Sequence, residues 1–262
     1  MLSYQHAYHA GNMADVHKHS VLAVALDYLA QKDKPLSYVE THAGRGLYRL
    51  DDAAALKTGE AARGIGAVER SFPEGHPLIR VIRRTRAIHG PAAYPGSPLI
   101  ARGLLRPGDA LHLAELHPQE FDGLQDTMGR DARLYHADGP ALALSLAPPD
   151  PRRGLCLVDP SWEVKDEWTA LPRFLAKLHR AWPVGVLILW MPLLATGAHE
   201  EGLAAVAKVL PEARVHRIGF APARPGHGMI GSALVLVNPP WGLEAELERL
   251  AALFPWQRPG PR

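Results

Sequence analysis

Asp159 stands where an apolar run stops: Gly154-Leu155-Cys156-Leu157-Val158 leads straight into Asp159-Pro160-Ser161-Trp162. A run this short, bounded by glycine and proline, suits a buried parallel strand. Such a strand delivers one carboxylate to its carboxyl end, the edge at which open α/β sheets bind ligands. The Asp159 carboxylate and the Pro160 carbonyl are both acceptors, a pair suited to gripping the two hydrogens of an amine, and Trp162 offers a flat ring for stacking. Three more strand ends can join them. His42 follows Leu36-Ser37-Tyr38-Val39-Glu40-Thr41, Glu115 closes Asp109-Ala110-Leu111-His112-Leu113-Ala114, and Asp138 follows Arg133-Leu134-Tyr135-His136-Ala137. One acid at a strand end is ordinary. Three acids and a histidine beside the glycine turns Gly44-Arg45-Gly46 and Asp138-Gly139 describe one shared crevice, in which an acid such as Glu115 can accept from ribose hydroxyls.

The opening segment carries Tyr4, His6, Tyr8, His9, Asn12, Asp15, His17, Lys18 and His19, too many binding groups for a frayed tail. Asn12 or Asp15 can cap a helix whose apolar positions Leu22, Leu26 and Leu29 share a face, ending before Pro35. On that helix Asp15 and His19 lie one turn apart. His6, His9, Asp15, His17 and His19 have the chemistry of metal ligands, but neither His-Glu-x-x-His nor paired-cysteine spacing is present, so no metal is expected. Lys18 is instead expected to face a phosphate or a base edge.

The elements that must position these groups read as an α/β alternation. Residues 51–95 break the pattern with short helical pieces and read as an inserted helical subdomain within a single domain spanning 1–262. In its basic run of Arg80, Arg83, Arg84 and Arg86, the first three recur at i, i+3 and i+4 and share one helix face, which can bind phosphate or simply be solvated. Tyr94-Pro95-Gly96-Ser97-Pro98 is a turn before a helix at 99–105, with Ser97 as its cap or as a ligand contact. A stripe at Trp168, Leu171, Leu175, Leu178 and Trp182 is helical and core-facing, although Pro172 should break or restart it. A continuous strand follows at 184–191 and a helix at 199–210. Two strands near 213–220 and 232–237 are joined by a short loop, which suits an antiparallel pair. A last helix carries Leu243, Leu247, Leu250 and Leu253, and 258–262 reads as a disordered tail.

The 262 residues are 47% hydrophobic and 21% charged, which excludes a mainly disordered chain. A net charge of +2 permits a polyanionic partner without implying one. One cysteine, Cys156, rules out an intramolecular disulfide framework, and its place inside the apolar strand marks it as core. No signal-peptide pattern opens the chain and no apolar run is long enough to cross a membrane, so a cytoplasmic protein is expected. Gly44-Arg45-Gly46 lacks both the third glycine of a dinucleotide fingerprint and the Lys-Ser/Thr of a phosphate loop, so neither NAD nor ATP is favoured.

Asp159-Pro160-Ser161-Trp162 is close to the Asp/Asn-Pro-Pro-aromatic signature of enzymes that methylate the exocyclic amines of bases. Asn238-Pro239-Pro240-Trp241 matches it better letter for letter. Order favours Asp159, the fourth strand end in succession, whereas Asn238 follows the last strand and introduces the terminal helix.

Together, Met1-Leu2-Ser3-Tyr4, His9-Ala10-Gly11-Asn12, Ala14-Asp15-Val16, Lys18-His19, Thr41-His42-Ala43-Gly44, Tyr94-Pro95-Gly96-Ser97-Pro98, Glu115-Leu116-His117-Pro118, Asp138-Gly139, Asp159-Pro160 and Asn238-Pro239-Pro240-Trp241 resemble the RlmJ family. These are bacterial large-subunit ribosomal RNA adenine-N6 methyltransferases. The resemblance implies a Rossmann-like class I fold dependent on S-adenosylmethionine, with a seven-stranded, mostly parallel sheet, its last strand antiparallel, and a small helical insertion. It implies donor contacts from His19, His42, Ser97, Glu115, Asp138, Gly139 and Asp159, and substrate contacts from Tyr4, His6 and Lys18. Asp159 and Pro160 would take the amine and Trp162 would stack on the base. The partner would be large-subunit rRNA, the enzyme a monomer needing neither metal nor membrane. Ser161-Trp162 departs from the family's usual Pro-Tyr. A relative that binds donor and RNA without turnover, or an enzyme acting on DNA adenine, are the alternatives.

Overall fold

The computed structural model describes residues 5–222 and 228–257. Tyr4, most of the loop joining the last two strands, and the 258–262 tail lie outside the described residues.

Asn12 caps the first helix, α1 (Met13–Ala30), its Oδ1 accepting from the Asp15 backbone N–H at 2.9 Å. The apolar stripe suggests a helix with one covered face, but 13 of the 18 residues of α1 are buried. Ala14, Val21, Ala23 and Ala25 fill the turns between the leucines, and a helix apolar nearly all round is a central one. Layers of structure cover it on several sides. Helices α2 (Ala53–Thr58), α3 (Glu60–Arg63), α4 (Ile65–Val68) and α5 (Pro77–His89) lie between β2 (Leu47–Arg49) and β3 (Ala93–Pro95), which pair antiparallel. β1 (Ser37–Glu40) precedes them in the chain. The opening segment is held by this region: Thr58 Oγ1 donates to the Tyr8 carbonyl at 2.6 Å and Ile65 N–H to the Gly11 carbonyl at 2.8 Å.

α6 (Ser97–Leu104) follows, begun by Gly96 and Pro98 with no side-chain cap, so Ser97 lies inside the helix and does not cap it. Then β4 (Ala110–Glu115), α7 (Pro118–Met128), β5 (Arg133–His136), α8 (Gly139–Leu146) and β6 (Gly154–Val158) alternate. α9 (Glu167–Ala181) runs through Pro172 without a break. The proline costs one helix hydrogen bond, but it is buried among Leu171, Phe174 and Leu175 and that packing holds the helix. β7 (Val186–Leu194), α10 (His199–Val209), β8 (Arg214–Gly219), β9 (Met229–Val237) and α11 (Glu244–Leu253) complete the chain.

The main sheet has seven strands in the order β5-β4-β1-β6-β7-β9-β8. β9 is antiparallel to both neighbours, with Leu187 opposite Val237 at one end and Ile218 opposite Ser232 on the other side. Strand order reverses between β1 and β6, so the carboxyl ends of these two flank the switch-point crevice where open sheets bind ligands.

Side-chain alternation sorts the groups between two layers. Leu155 and Leu157 of β6 join the core built on α1, while Cys156 and Val158 join the core built on α9 and α10. Asp159 continues the first parity and emerges on the α1 side. Cys156 is wholly buried, and burial pushes its thiol well above the ordinary range.

Gly139, at the start of α8, is dictated by backbone contact: a Cβ there would lie 1.8 Å from the Thr41 carbonyl oxygen. Because both partners are main chain at strand ends, neither can rotate away. Gly139→Ala is therefore expected to lower stability by about 1–3 kcal/mol, and denaturant unfolding with an unchanged midpoint would contradict this packing.

Candidate active site

A cavity of about 660 Å³ opens at the carboxyl edge of the sheet, within the range for small-ligand sites. His6, His19, His42, Ser97, Glu115, Asp138, Gly139, Asp159, Pro160 and Trp162 all line it, as does Lys18. The structure thus gathers around one cavity residues from the opening segment, four strand ends and the start of α6. Tyr4 lies outside the described residues.

At the β1 and β4 ends, the Glu115 carboxylate accepts from Gly44 N–H at 2.8 Å and from His117 N–H at 2.7 Å. Burial pushes its pKa up against those two bonds. Gly44 has φ +60°, and a Cβ there would meet the Tyr48 hydroxyl at 2.4 Å, so the turn and the ring beside it require glycine. Asp138 caps α8, its Oδ1 accepting from Ala141 N–H at 2.8 Å. His42 Nδ1 is 2.7 Å from Thr41 Oγ1. Burial pulls the His42 imidazole down to about 4, against the opposing pull of Asp159 and Asp138.

On the α1 side, Lys18 does not point at a ligand phosphate. Its ammonium is clamped between Asp15 Oδ1 at 3.0 Å and Asp159 Oδ2. Burial alone would lower the Lys18 pKa, but the two carboxylates more than reverse it and hold the group charged. Asp15 is itself buried, which would raise its pKa, yet His6, Lys18 and His19 bring it well below the usual range. It also accepts from Gly11 N–H at 2.8 Å and bonds His6 Nε2 at 2.9 Å. The opening motif is therefore a buried charge cluster that grips Asp159 by one oxygen, Oδ2.

His19 bonds the Tyr94 hydroxyl through Nδ1 at 2.9 Å, and burial brings it down to about 3. His9 bonds Glu60 at 3.0 Å and His17 bonds His216 at 2.8 Å. His6 and His19 both face Asp15, His9 and His17 go elsewhere, and among the described residues no group of three or more His, Cys, Asp or Glu is arranged to hold a metal. The Ser97 hydroxyl is engaged by Glu40.

Glu40, Trp190 and Tyr48 are cavity or under-cavity residues that sequence reasoning missed. Glu40 is wholly buried below the crevice; burial raises it to about 8 even though it accepts from Ser97 and from Tyr38, the latter at 2.9 Å. A carboxylate inside an apolar strand is the signal that marked it. Trp190 sits in a strand that reads as pure core, and only its pairing partners reveal the difference.

Trp162 is placed differently from a free stacking plate. Its φ is +58°, its ring is 9% exposed and stacks on Trp168 at 4.3 Å between centroids, and its Nε1 donates to the Trp190 carbonyl at 3.0 Å. Asn238 follows the antiparallel β9, so it lies at the opposite edge of the sheet. There its Nδ2 donates to the Pro183 and Gly185 carbonyls at 2.8 and 2.9 Å, and Trp241 is 90% exposed.

Of the arginines on α5, Arg80 pairs with Asp27 and Arg86 with Glu69 at 2.7 Å, which leaves Arg83 and Arg84 as exposed cations. Among the described residues no helix is long and apolar enough to cross a membrane.

Comparison with known proteins bears on the same residues. A family model described as ribosomal RNA large subunit methyltransferase D, RlmJ, matches residues 33–258. A protein of Escherichia coli K12 named ribosomal RNA large subunit methyltransferase J is 36% identical, the match covering 98% of this chain and 92% of that one. Its namesake in Haemophilus influenzae is 32% identical over 95% of this chain and 92% of that one. A crystal structure from Legionella pneumophila superposes with a TM-score of 0.83 at 33% identity, covering 94% and 92% of the two chains. The strand order, the antiparallel β9 and the strand-end crevice are those of a Rossmann-like methyltransferase, and the chain belongs to the ribosomal RNA large subunit methyltransferase RlmJ family.

Proposed function

We propose that this chain transfers a methyl group from S-adenosylmethionine to the exocyclic N6 amine of an adenine in large-subunit rRNA. The observation that carries the reading is Asp159 at the β6 end, with one carboxylate oxygen held by Lys18 and the residue lining the cavity together with Pro160.

The residues present fit the methyl donor. The β1, β4 and α8 ends offer a cradle in which Glu115 can accept from hydroxyls, and two tight glycine turns let the backbone come close. The Nδ1 of His117, which lines the same edge, is buried without a hydrogen-bond partner, the state of a group awaiting a ligand. When bound, the donor supplies an electrophilic methyl group on a sulfonium.

An adenine amine is a weak nucleophile because its lone pair is delocalised into the ring. Asp159 Oδ1 and the Pro160 carbonyl would accept its two hydrogens, raising electron density on nitrogen and aiming it along the line of transfer. Lys18 fixes the carboxylate and supplies no proton. The base must leave its stack to arrive here, and the exposed Arg83 and Arg84 are offered as contacts to the RNA backbone.

The test is to incubate the protein with S-adenosylmethionine and deproteinised large-subunit rRNA lacking the modification, then digest the RNA and look for N6-methyladenosine by mass spectrometry. A single new methylated adenine is the expected result. Donor binding without product would make the chain a non-catalytic relative, and product on DNA alone would reassign its substrate.

A further inference from the structure

We propose that Trp190, on the cavity wall beside Asp159, is the surface against which the acceptor base packs, and that Ser232, His17 and His216 are positioning residues that set its indole. The proposal deepens the functional reading above and rests on it.

Face parity separates the two candidate rings. Val186 and Ile188 of β7 belong to the core on the α1 side, so Trp190, two residues further, continues that face and packs against that core as well as against the second one, and Pro192 follows it. Trp190, Pro192, Leu194 and Met229 all line the cavity, and Met229 pairs with Leu194 across β7 and β9, so the four form one continuous wall. Asp159 emerges on this same face. The Lys18 ammonium, which binds Asp159, lies 5.6 Å from the centre of the Trp190 ring. Trp162 belongs to the opposite layer, with one ring face taken by Trp168. By tying its Nε1 to the Trp190 carbonyl, Trp162 braces the turn that follows Asp159 and depends on Trp190 for its own placement.

The Trp190 ring is held by a chain of hydrogen bonds with a single solution. An indole Nε1 only donates, so Trp190 Nε1–H donates to Ser232 Oγ at 2.9 Å. At the far end the Leu247 carbonyl only accepts, so His216 Nε2 carries the proton that reaches it at 2.9 Å. Burial keeps both imidazoles neutral by lowering His17 well below its ordinary value and His216 below its own. A neutral His216 with hydrogen on Nε2 accepts at Nδ1, so His17 Nε2–H donates to it at 2.8 Å. His17 Nδ1 must then accept, and Ser232 Oγ–H donates to it at 2.9 Å. Ser232, His17 and His216 each accept once and donate once, so every N–H and O–H in the chain has an acceptor. Ser232 and His17 are fully buried and His216 nearly so. A buried, fully satisfied polar chain fixes one geometry, and breaking any link leaves the rest unpaired. The outcome is a rigid indole in a residue that lines the cavity. Its anchors come from α1, β8, β9 and α11.

The test reads base packing apart from turnover. A single-stranded oligoribonucleotide carrying 2-aminopurine at the acceptor position is titrated into the parent, Trp190→Ala, Trp190→Phe, Ser232→Ala and Ser232→Thr proteins, with Trp241→Phe as control. Donor affinity, melting temperature and methylation kinetics are measured alongside. Fluorescence quenching is expected in the parent and the control and is expected to be lost in Trp190→Ala, with kcat/KM falling about 5- to 150-fold and donor Kd within about twofold, the change that loss of one stacking surface brings. Trp190→Phe is expected to keep part of the quench. Ser232→Ala is expected to raise KM for RNA at unchanged donor affinity, and Ser232→Thr to restore it. Retained quenching and kinetics in a folded Trp190→Ala protein overturn the wall assignment. Parent-like KM in Ser232→Ala overturns the positioning role. A parent that quenches but makes no methylated adenine leaves this assignment standing and removes the functional reading instead.

Discussion

Asp159→Asn is expected to lower kcat for methyl transfer about 10²- to 10³-fold, the cost of losing one aimed electrostatic contact in an enclosed site. The argument lies in the second partner of the side chain. Lys18 is a donor and takes one oxygen of residue 159. In the variant it would take the only oxygen the amide has, which turns the amide NH2 group toward the cavity. The adenine amine, itself a donor in this geometry, would then meet a donor where it needs an acceptor. The Lys18 charge keeps Asp15 at 3.0 Å, so the protein is expected to fold and donor affinity to change less than tenfold. Single-turnover kinetics with saturating donor give the reading. A rate within threefold of the parent would remove Asp159 from the chemistry. Asp159→Ala, which removes the acceptor without placing a donor in the cavity, is expected to be faster than Asp159→Asn, and an alanine variant as slow or slower would mean that loss of the acceptor alone, and not the reversed dipole, sets the rate.

How much of this was legible in the residues differs by level. The α/β alternation, the strand-end acids and the antiparallel final pair follow from apolar runs and short turns, because a strand buried on both faces has few other sequences available. The gathering of His42, Glu115, Asp138 and Asp159 on one cavity also follows, since parallel strands put their carboxyl ends on one edge. Partners across the fold did not. Lys18 reads as a free cation and is instead clamped by two acids, one of them 141 positions away. Ser97 reads as a cap or ligand contact and is spent on Glu40. Trp162 reads as a stacking plate, yet its neighbour Trp168, also in the sequence as a core residue, covers it. Trp190 reads as core, because its value depends on Ser232 and His17, which no local pattern connects to it. Local chemistry tells which groups are able to act; only the packing tells which of them are already engaged.

Stability is expected to peak near neutral pH and to fall on both sides, most steeply in acid. Unfolded histidines take up protons near pH 6.5, whereas folded His19 and His42 resist until about 3 and about 4, and His17 stays well below its ordinary value. Between about pH 6 and 5 the unfolded chain therefore binds three protons that the native state refuses. Glu40 works against them. Its native value of about 8 lies above that of an unfolded glutamate, so in the same window the native state holds one proton that the unfolded chain lacks. Among these four groups the net is two protons in favour of the unfolded chain, which lowers stability with acid by on the order of 3 kcal/mol per pH unit, and the lowered values of His112 and His216 act in the same direction. From about pH 7 to 8 the histidines are neutral in both states and only Glu40 remains. There the native state holds the extra proton, so stability declines with rising pH by on the order of 1 kcal/mol per unit. Chemical unfolding across a pH series measures both limbs. Glu40→Gln carries no titrating group and is expected to flatten the alkaline limb and to steepen the acid limb to on the order of 4 kcal/mol per pH unit. A parent whose stability is level from pH 7 to pH 5 would mean that these buried imidazoles take protons without opening the fold, and that the charge cluster around Asp15 and Lys18 adapts to hold them.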